Sequence, residues 1–180
     1  SRALSTARHV AEEQISDLSI TSTWLAQQYP DSKPTVRPGM PLREFSKSFA
    51  VMLDENANYQ RFYPVDVEIR LRGNPEAAGR AAAAYLASIA VQFSEGSFSG
   101  SPVGDWTANR FTPGKRASLV FLRSNAFVYV SYAAPAEVSK TDETRRVILP
   151  DASLRQKCED LARDIDVQLL KLLAAEKEVK

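Results

Sequence analysis

The sequence predicts an α+β domain in which an antiparallel sheet of about five strands packs against two main helices. Three patterns predict it: a run that alternates apolar and charged residues, two stretches with helical spacing of apolar residues, and an apolar hairpin between them. The 180 residues suffice for a single domain, with an extension at 1–44 and a core at 45–180. A chain of this size buries about 70% of its unfolded surface, so it needs no disulfide or metal to fold.

The N-terminal extension predicts little regular structure. Residues 5–18 have scattered apolar positions and predict a short helix. The closely spaced prolines of 29–41 predict a loop, because proline removes backbone donors that a strand ladder needs.

The first half of the core predicts two strands and a helix. Residues 45–53 and 65–72 alternate apolar and polar side chains, which is typical of strands with one buried face. Such alternation favours an antiparallel sheet, because strands of parallel sheets are covered on both faces. Asn74 is a good helix N-cap and Pro75 suits the first helical position, so a helix is predicted to begin there.

The second half predicts a similar order with one more strand. After a strand at 105–111, residues 117–132 predict a hairpin across Ser124 and Asn125, with Asn125 in the positive-φ position. A long polar loop at 133–150 and a helix at 152–176 follow. The shared order suggests a ββα pseudo-repeat, with both helices on one face of the sheet or, alternatively, on opposite faces.

Both faces of the predicted hairpin are apolar, unlike those of the strand at 65–72. The hairpin is therefore either central and covered on both sides, or its second face contacts a partner, a ligand or a second copy of the chain. The side chains of that second face are Val120, Leu122, Phe127 and Tyr129.

Residue counts exclude several common chemistries. His9 is the only histidine and lies in a polar segment, which gives no sign of a catalytic triad. Cys158 is the only cysteine and lies on the apolar stripe of the last helix, where a thiol is inert. A zinc site needs three or four ligands, drawn largely from Cys and His, so none is predicted. The chain is predicted to need no cofactor and not to be an enzyme.

Two further segments fail as ligand motifs. Residues 54–58 match the first ligand positions of a calcium-binding EF-hand loop, but Tyr59 and Val65 replace its glycine and its glutamate. They predict a turn instead. The glycine-rich segment 96–100 lacks the lysine and the spacing of a phosphate-binding P-loop. A net charge of +1 also argues against sequence-independent nucleic-acid binding.

Aromatic and basic side chains remain as candidates for a ligand or partner site, because Trp and Arg are enriched at interfaces. An enzyme of unfamiliar type is the alternative, with Asp105, Arg110 and Arg123 around a cleft beside Trp106. The candidate binding residues are Trp24, Trp106, Arg110, Arg123, Phe127 and Tyr129.

Three motifs follow one another in the second half: GDWTANRF, LVFLRSNAFVYVSY and CEDLARDIDVQLLKLL. Together they resemble exported bacterial domains of unknown function, in which a Gly-Asp segment precedes a hairpin with an Arg-x-Asn tip. A helix with Leu-Ala and Ile-Asp then follows. The resemblance covers residues 104–173, implies a location outside the cytoplasm, and brings no catalytic residues.

The sequence thus predicts an extracytoplasmic binding or accessory module that recognises a protein or a small ligand. A structural domain of an envelope assembly, whose last helix packs against another chain, is a further alternative. No apolar run approaches the ~20 residues that a membrane span needs.

Overall fold

The computed structural model describes residues 33–36, 44–88, 92–142 and 144–175. Within these ranges the chain is α+β, and nine strands rather than about five form one antiparallel sheet. The strands are β1 (Lys33–Val36), β2 (Glu44–Glu55), β3 (Tyr59–Leu71), β4 (Ser94–Glu95), β5 (Trp106–Thr112), β6 (Arg116–Arg123), β7 (Ala126–Ala133), β8 (Ala136–Ser139) and β9 (Arg146–Ile148). The helices are α1 (Pro75–Ser88) and α2 (Leu154–Ala175).

The strands lie in the order β1-β2-β3-β7-β6-β5-β4. In addition, β8 pairs with the N-terminal end of β3, and β9 pairs with β8. β3 is long enough to pair with two strands, with β8 through residues 59–62 and with β7 through residues 65–71. β7 and β8 therefore lie end to end along the same strand.

The alternating pattern that predicted β3 is confirmed. Every second residue from Tyr63 to Leu71 is buried, and those between are partly exposed. The buried side chains pack beneath α2, so the period of two marks the core side of the strand.

The predicted start of α1 is also confirmed. The Asn74 Oδ1 accepts a hydrogen bond of 2.8 Å from the backbone N–H of Ala77, as an N-cap does. Pro75 follows at the first helical position, where its missing N–H has no partner to lose. Ala78 and Ala82 are buried, and such small side chains let the helix lie close to the sheet.

The two helices cover opposite faces of the sheet, which is the second of the two arrangements that the sequence left open. We call the two sides the α2 face and the α1 face. The α2 face includes Val65, Val67, Ile69, Leu119, Phe121 and Val130, packed against Leu154, Cys158, Leu161 and Ile165 of α2. The α1 face includes Val120, Leu122 and Phe127, packed near Ala82, Tyr85 and Leu86 of α1. The β6–β7 hairpin is therefore central and covered on both sides at this end of the sheet.

Two segments predicted as loops contain strands. β1 lies inside the proline-rich segment and pairs with β2. β8 and β9 lie inside the predicted loop 133–150 and pair with each other. In the described residues β1 has one strand neighbour, so Pro34 can occupy an edge strand where a missing donor costs little.

Other predictions differ in detail. Ser124, with φ of 52°, takes the positive-φ position predicted for Asn125. Asn125 is instead buried, and its amide donates 2.9 Å to the carbonyl of Arg72. The second half places β4 through β9 before α2, so the ββα pseudo-repeat is not confirmed. The predicted helix at 5–18, His9 and Trp24 lie outside the described residues.

Candidate functional site

A row of polar side chains crosses the α1 face at the end of the sheet away from Phe127. Five adjacent strands each contribute one residue to it through direct cross-strand pairing. The members, in order from β2 to β5, are Ser48, Asp66, Ser131, Ser118 and Arg110. The same face carries apolar residues under α1. The row therefore divides this face into a core half, beneath α1, and a polar half.

The β5 end of this row opens into a groove of about 280 Å³, which we call the cationic groove. Its described lining consists of Arg110, Thr112, Lys115, Arg116 and Ser118. The tight turn at Pro113 and Gly114 brings β5 and β6 together, so that Arg110 pairs with Ser118 and Thr112 pairs with Arg116. The two arginines thus lie on one diagonal of a two-by-two grid, and the two hydroxyls lie on the other.

Arg116 already has an acidic neighbour. Its Nη1 lies 3.3 Å from the Asp66 carboxylate and donates 2.7 Å to the Ser131 hydroxyl. Asp66 also accepts a hydrogen bond from the Ser48 hydroxyl. This network holds the guanidinium of Arg116 against the polar row and fixes one wall of the groove.

Unlike Arg116, Arg110 and Lys115 have no acidic partner among the residues that the structure describes. Neither side chain makes an ion pair or a hydrogen bond with another residue in the described part of the chain. Among the described residues, three cations and the carboxylate of Asp66 give the lining and its contacts an excess of two positive charges. Cations and hydroxyls that converge on one groove are suited to holding an anion.

Tyr129 lies beside the groove and Phe127 does not. The Tyr129 hydroxyl is 3.4 Å from the Ser118 Oγ, and its ring lies 6.3 Å from the ring of Tyr85 on α1. Phe127 is 1% exposed, and its ring centroid lies 5.3 Å from that of Tyr85. Phe127 is therefore a core residue of the α1 face, whereas Tyr129 joins that core to the polar half.

Arg123 belongs to a different cluster on the α2 face. Its Nε and Nη2 donate 2.7 and 2.8 Å to the two carboxylate oxygens of Asp166, and its Nη1 donates 2.8 Å to Asp105. The hydrogen bonds to Asp166, together with the charges of Asp166 and Asp105, raise the pKa of Arg123 despite its partial burial. Asp166 also accepts 3.0 Å from the backbone N–H of Gly104.

The motifs that carried the resemblance meet in this cluster. Gly104 and Asp105 come from the first motif, Arg123 from the second and Asp166 from the third. Because Arg123 is bonded to both carboxylates, the cluster ties the start of β5, the end of β6 and the middle of α2 together. Its residues are fully engaged with one another, which is typical of a structural contact.

The structure does not bring the predicted cleft of Asp105, Trp106, Arg110 and Arg123 together. Asp105 and Arg123 are in contact beside α2, whereas Trp106 packs in the core of the α1 face. Arg110 shares the face of Trp106 but lies four residues along β5, which is roughly 13 Å away.

Arg110 was among the binding residues predicted from the sequence, but its neighbours Lys115 and Arg116 were not. A signal for them existed, because strands were predicted on both sides of the Pro-Gly turn. Continuing those strands to the turn places the side chains of Arg110 and Arg116 on the same face of a β5–β6 pair.

Two properties of the described residues and the comparisons with known proteins bear on chemistry and identity. In the described ranges no three His, Cys, Asp or Glu side chains are grouped so that they could hold a metal ion. Neither of the two described helices has the length and apolar character needed to cross a membrane. No protein-family model, no curated protein and no solved structure matches the chain. Function therefore has to be inferred from the geometry of the chain itself.

Proposed function

We propose that the protein is a non-catalytic binding module and that it holds a negatively charged ligand in the cationic groove. One observation carries this proposal: Arg110 and Lys115 face the groove with Arg116, yet neither has an acidic partner among the described residues. Like charges that share a groove repel one another, and an anion bound between them would relieve that repulsion.

The volume of the groove supports a small ligand or a single acidic group of a larger one. A space of about 280 Å³ lies near the lower end of the range for small-molecule sites. Polar residues at its floor can orient the ligand, since Ser118 is 4% exposed and lies between Arg110 and Ser131 in the cross-strand row. The location outside the cytoplasm stays a prediction that rests on the resemblance of residues 104–173.

Binding can be tested by isothermal titration calorimetry with small anions, and the neutral molecule glycerol serves as the control ligand. The double variant Arg110→Gln with Lys115→Gln should lose at least tenfold in affinity, because each lost charge-assisted contact weakens binding. The matched control is Arg80→Gln with Arg146→Gln, which removes the same net charge from exposed positions elsewhere. Equal binding by both double variants, or no binding of any anion by the wild type, would contradict the proposal.

A further inference from the structure

We infer that the group held in the cationic groove is a compact tetrahedral dianion, the phosphate ester of a small molecule. This inference rests on the proposed function and narrows it to a class of ligand. Two properties of the groove point to it: its charge balance, and the arrangement of its donor residues.

The charge balance favours two negative charges on the ligand. In the described part of the chain, the charged groups that face the groove or contact its walls are Arg110, Lys115, Arg116 and Asp66. The next acidic residue along β3, Glu68, lies within 2.5 Å of Arg70 and is already paired. A ligand with two negative charges would neutralise the remaining excess, whereas a single carboxylate would leave one cation uncompensated.

The residues that carry the donors occupy all four corners of the β5–β6 grid. Arg110 and Arg116 lie on one diagonal, about 7–8 Å apart, with Thr112 and Ser118 on the other diagonal. Lys115 approaches from the turn between the strands. A planar carboxylate offers two oxygens to such a set, whereas a phosphate or sulfate ester offers three, arranged around a tetrahedron.

The test titrates wild-type protein with glycerol phosphate, methyl sulfate, succinate and acetate at pH 7.5. The two tetrahedral anions differ in charge, so each is compared with a carboxylate of similar charge: glycerol phosphate with succinate, and methyl sulfate with acetate. We expect glycerol phosphate to bind at least tenfold more tightly than succinate, and methyl sulfate at least tenfold more tightly than acetate. Thr112→Val, which removes a hydroxyl and no charge, should weaken glycerol phosphate binding about three- to tenfold.

A second titration between pH 5 and 7.5 separates phosphate from sulfate as the group recognised. A phosphate ester gains its second negative charge with a pKa of about 6, so its binding should tighten as the pH rises. Methyl sulfate keeps one charge throughout, so its titration measures the share of the pH dependence that comes from the protein and not from the ligand. Tightening seen with glycerol phosphate alone supports a phosphate dianion, whereas a preference for methyl sulfate over glycerol phosphate would overturn it.

The outcomes distinguish this inference from the function on which it rests. If succinate binds as tightly as glycerol phosphate, and acetate as tightly as methyl sulfate, the tetrahedral class is wrong while the anion-binding function stands. If none of the four anions binds, both are wrong. The stability of Thr112→Val and of the double variant Arg110→Gln with Lys115→Gln, measured by urea unfolding, shows that a lost affinity is not a lost fold.

Discussion

The guanidinium of Arg123 at the end of β6 holds the carboxylate of Asp166 on α2 through two parallel hydrogen bonds of 2.7 and 2.8 Å. Both side chains are largely buried, with 18% and 12% of their surfaces exposed. Asp105 binds the remaining Nη1 and also accepts 2.8 Å from the backbone N–H of Ser124. One arginine thus fixes the strained hairpin tip and the last helix in a single geometry.

Removing the charge of either partner should destabilise the fold. We expect Arg123→Gln or Asp166→Asn to lower the free energy of unfolding by about 2–4 kcal/mol, because each removes one partner from a largely buried, doubly hydrogen-bonded ion pair. Arg123→Lys should also cost stability, since an ammonium cannot reproduce the two parallel bonds. Urea unfolding measures these changes. An effect below 0.5 kcal/mol for both charge-removing variants, as for an exposed ion pair, would show that the contact contributes little.

Two glycines with nearly the same backbone conformation offer a matched pair of substitutions. Gly104 has φ of 66° and Gly114 has φ of 69°, so alanine is strained at both positions. A Cβ at Gly104 would also lie 2.2 Å from the carbonyl oxygen of Leu122, whereas one at Gly114 has nothing within 4 Å. We expect Gly114→Ala to cost about 1–2 kcal/mol and Gly104→Ala clearly more, as measured by thermal or urea unfolding. Equal losses would mean that the strand end moves aside at little cost.

Substitutions in the second face of the hairpin should separate core from interface. Phe127→Ala is expected to lower the free energy of unfolding by about 3–5 kcal/mol, because the ring is enclosed beneath α1. Tyr129→Phe should cost less than about 1 kcal/mol, since the hydroxyl lies at the border of the groove. Light scattering across a dilution series provides the second readout. A drop in molecular mass for Phe127→Ala at unchanged stability would restore the interface interpretation.

The buried carboxylate of Glu159 should make stability depend on acid pH. Burial alone would raise its pKa, but hydrogen bonds from Ser99 and the charge of Arg163 outweigh burial and hold the pKa below its ordinary value. A carboxylate lowered in this way stabilises the fold above its unfolded pKa of about 4.3, and that contribution is lost as the pH falls through the folded pKa. Unfolding free energies measured from pH 6 down to pH 3 should therefore decrease, and Glu159→Gln should flatten the decrease. An unchanged slope in this variant would assign the acid sensitivity to other groups.

The elements predicted from the sequence were those whose side chains alternate or recur regularly. β3 shows why: its charged residues face away from α2 and its apolar residues face the core, so the period is visible in the sequence. β8 and β9 are short and carry charged residues such as Glu137 and Arg146, so their pairing depends on β3 and leaves no periodic signal. The prediction that Asn125 has a positive φ was wrong for a related reason, because Ser124 takes that conformation. Asn125 uses its amide to bond Arg72, a contact made by a strand far away in sequence.

The candidate site could be predicted only in part. Arg110 was found from its residue type, but the groove depends on the register between β5 and β6, which places Lys115 and Arg116 near it. The proposed cleft grouped residues by proximity in sequence, whereas Asp105 and Trp106 point to opposite faces because neighbouring residues in a strand do so. Sequence alone could not show which arginine already had a carboxylate beside it.

The floor of the cationic groove is built on β5 and β6, and β6 is paired along its length with β5 on one side and β7 on the other. Backbone positions fixed by two ladders change little when a ligand arrives, so on the β6 side of the groove only the long side chains at the rim have to be ordered. Binding of this kind should proceed without a slow isomerisation step, and attraction between opposite charges should speed the encounter at low ionic strength. Stopped-flow traces should then show one phase whose rate rises linearly with ligand concentration and falls as salt is added.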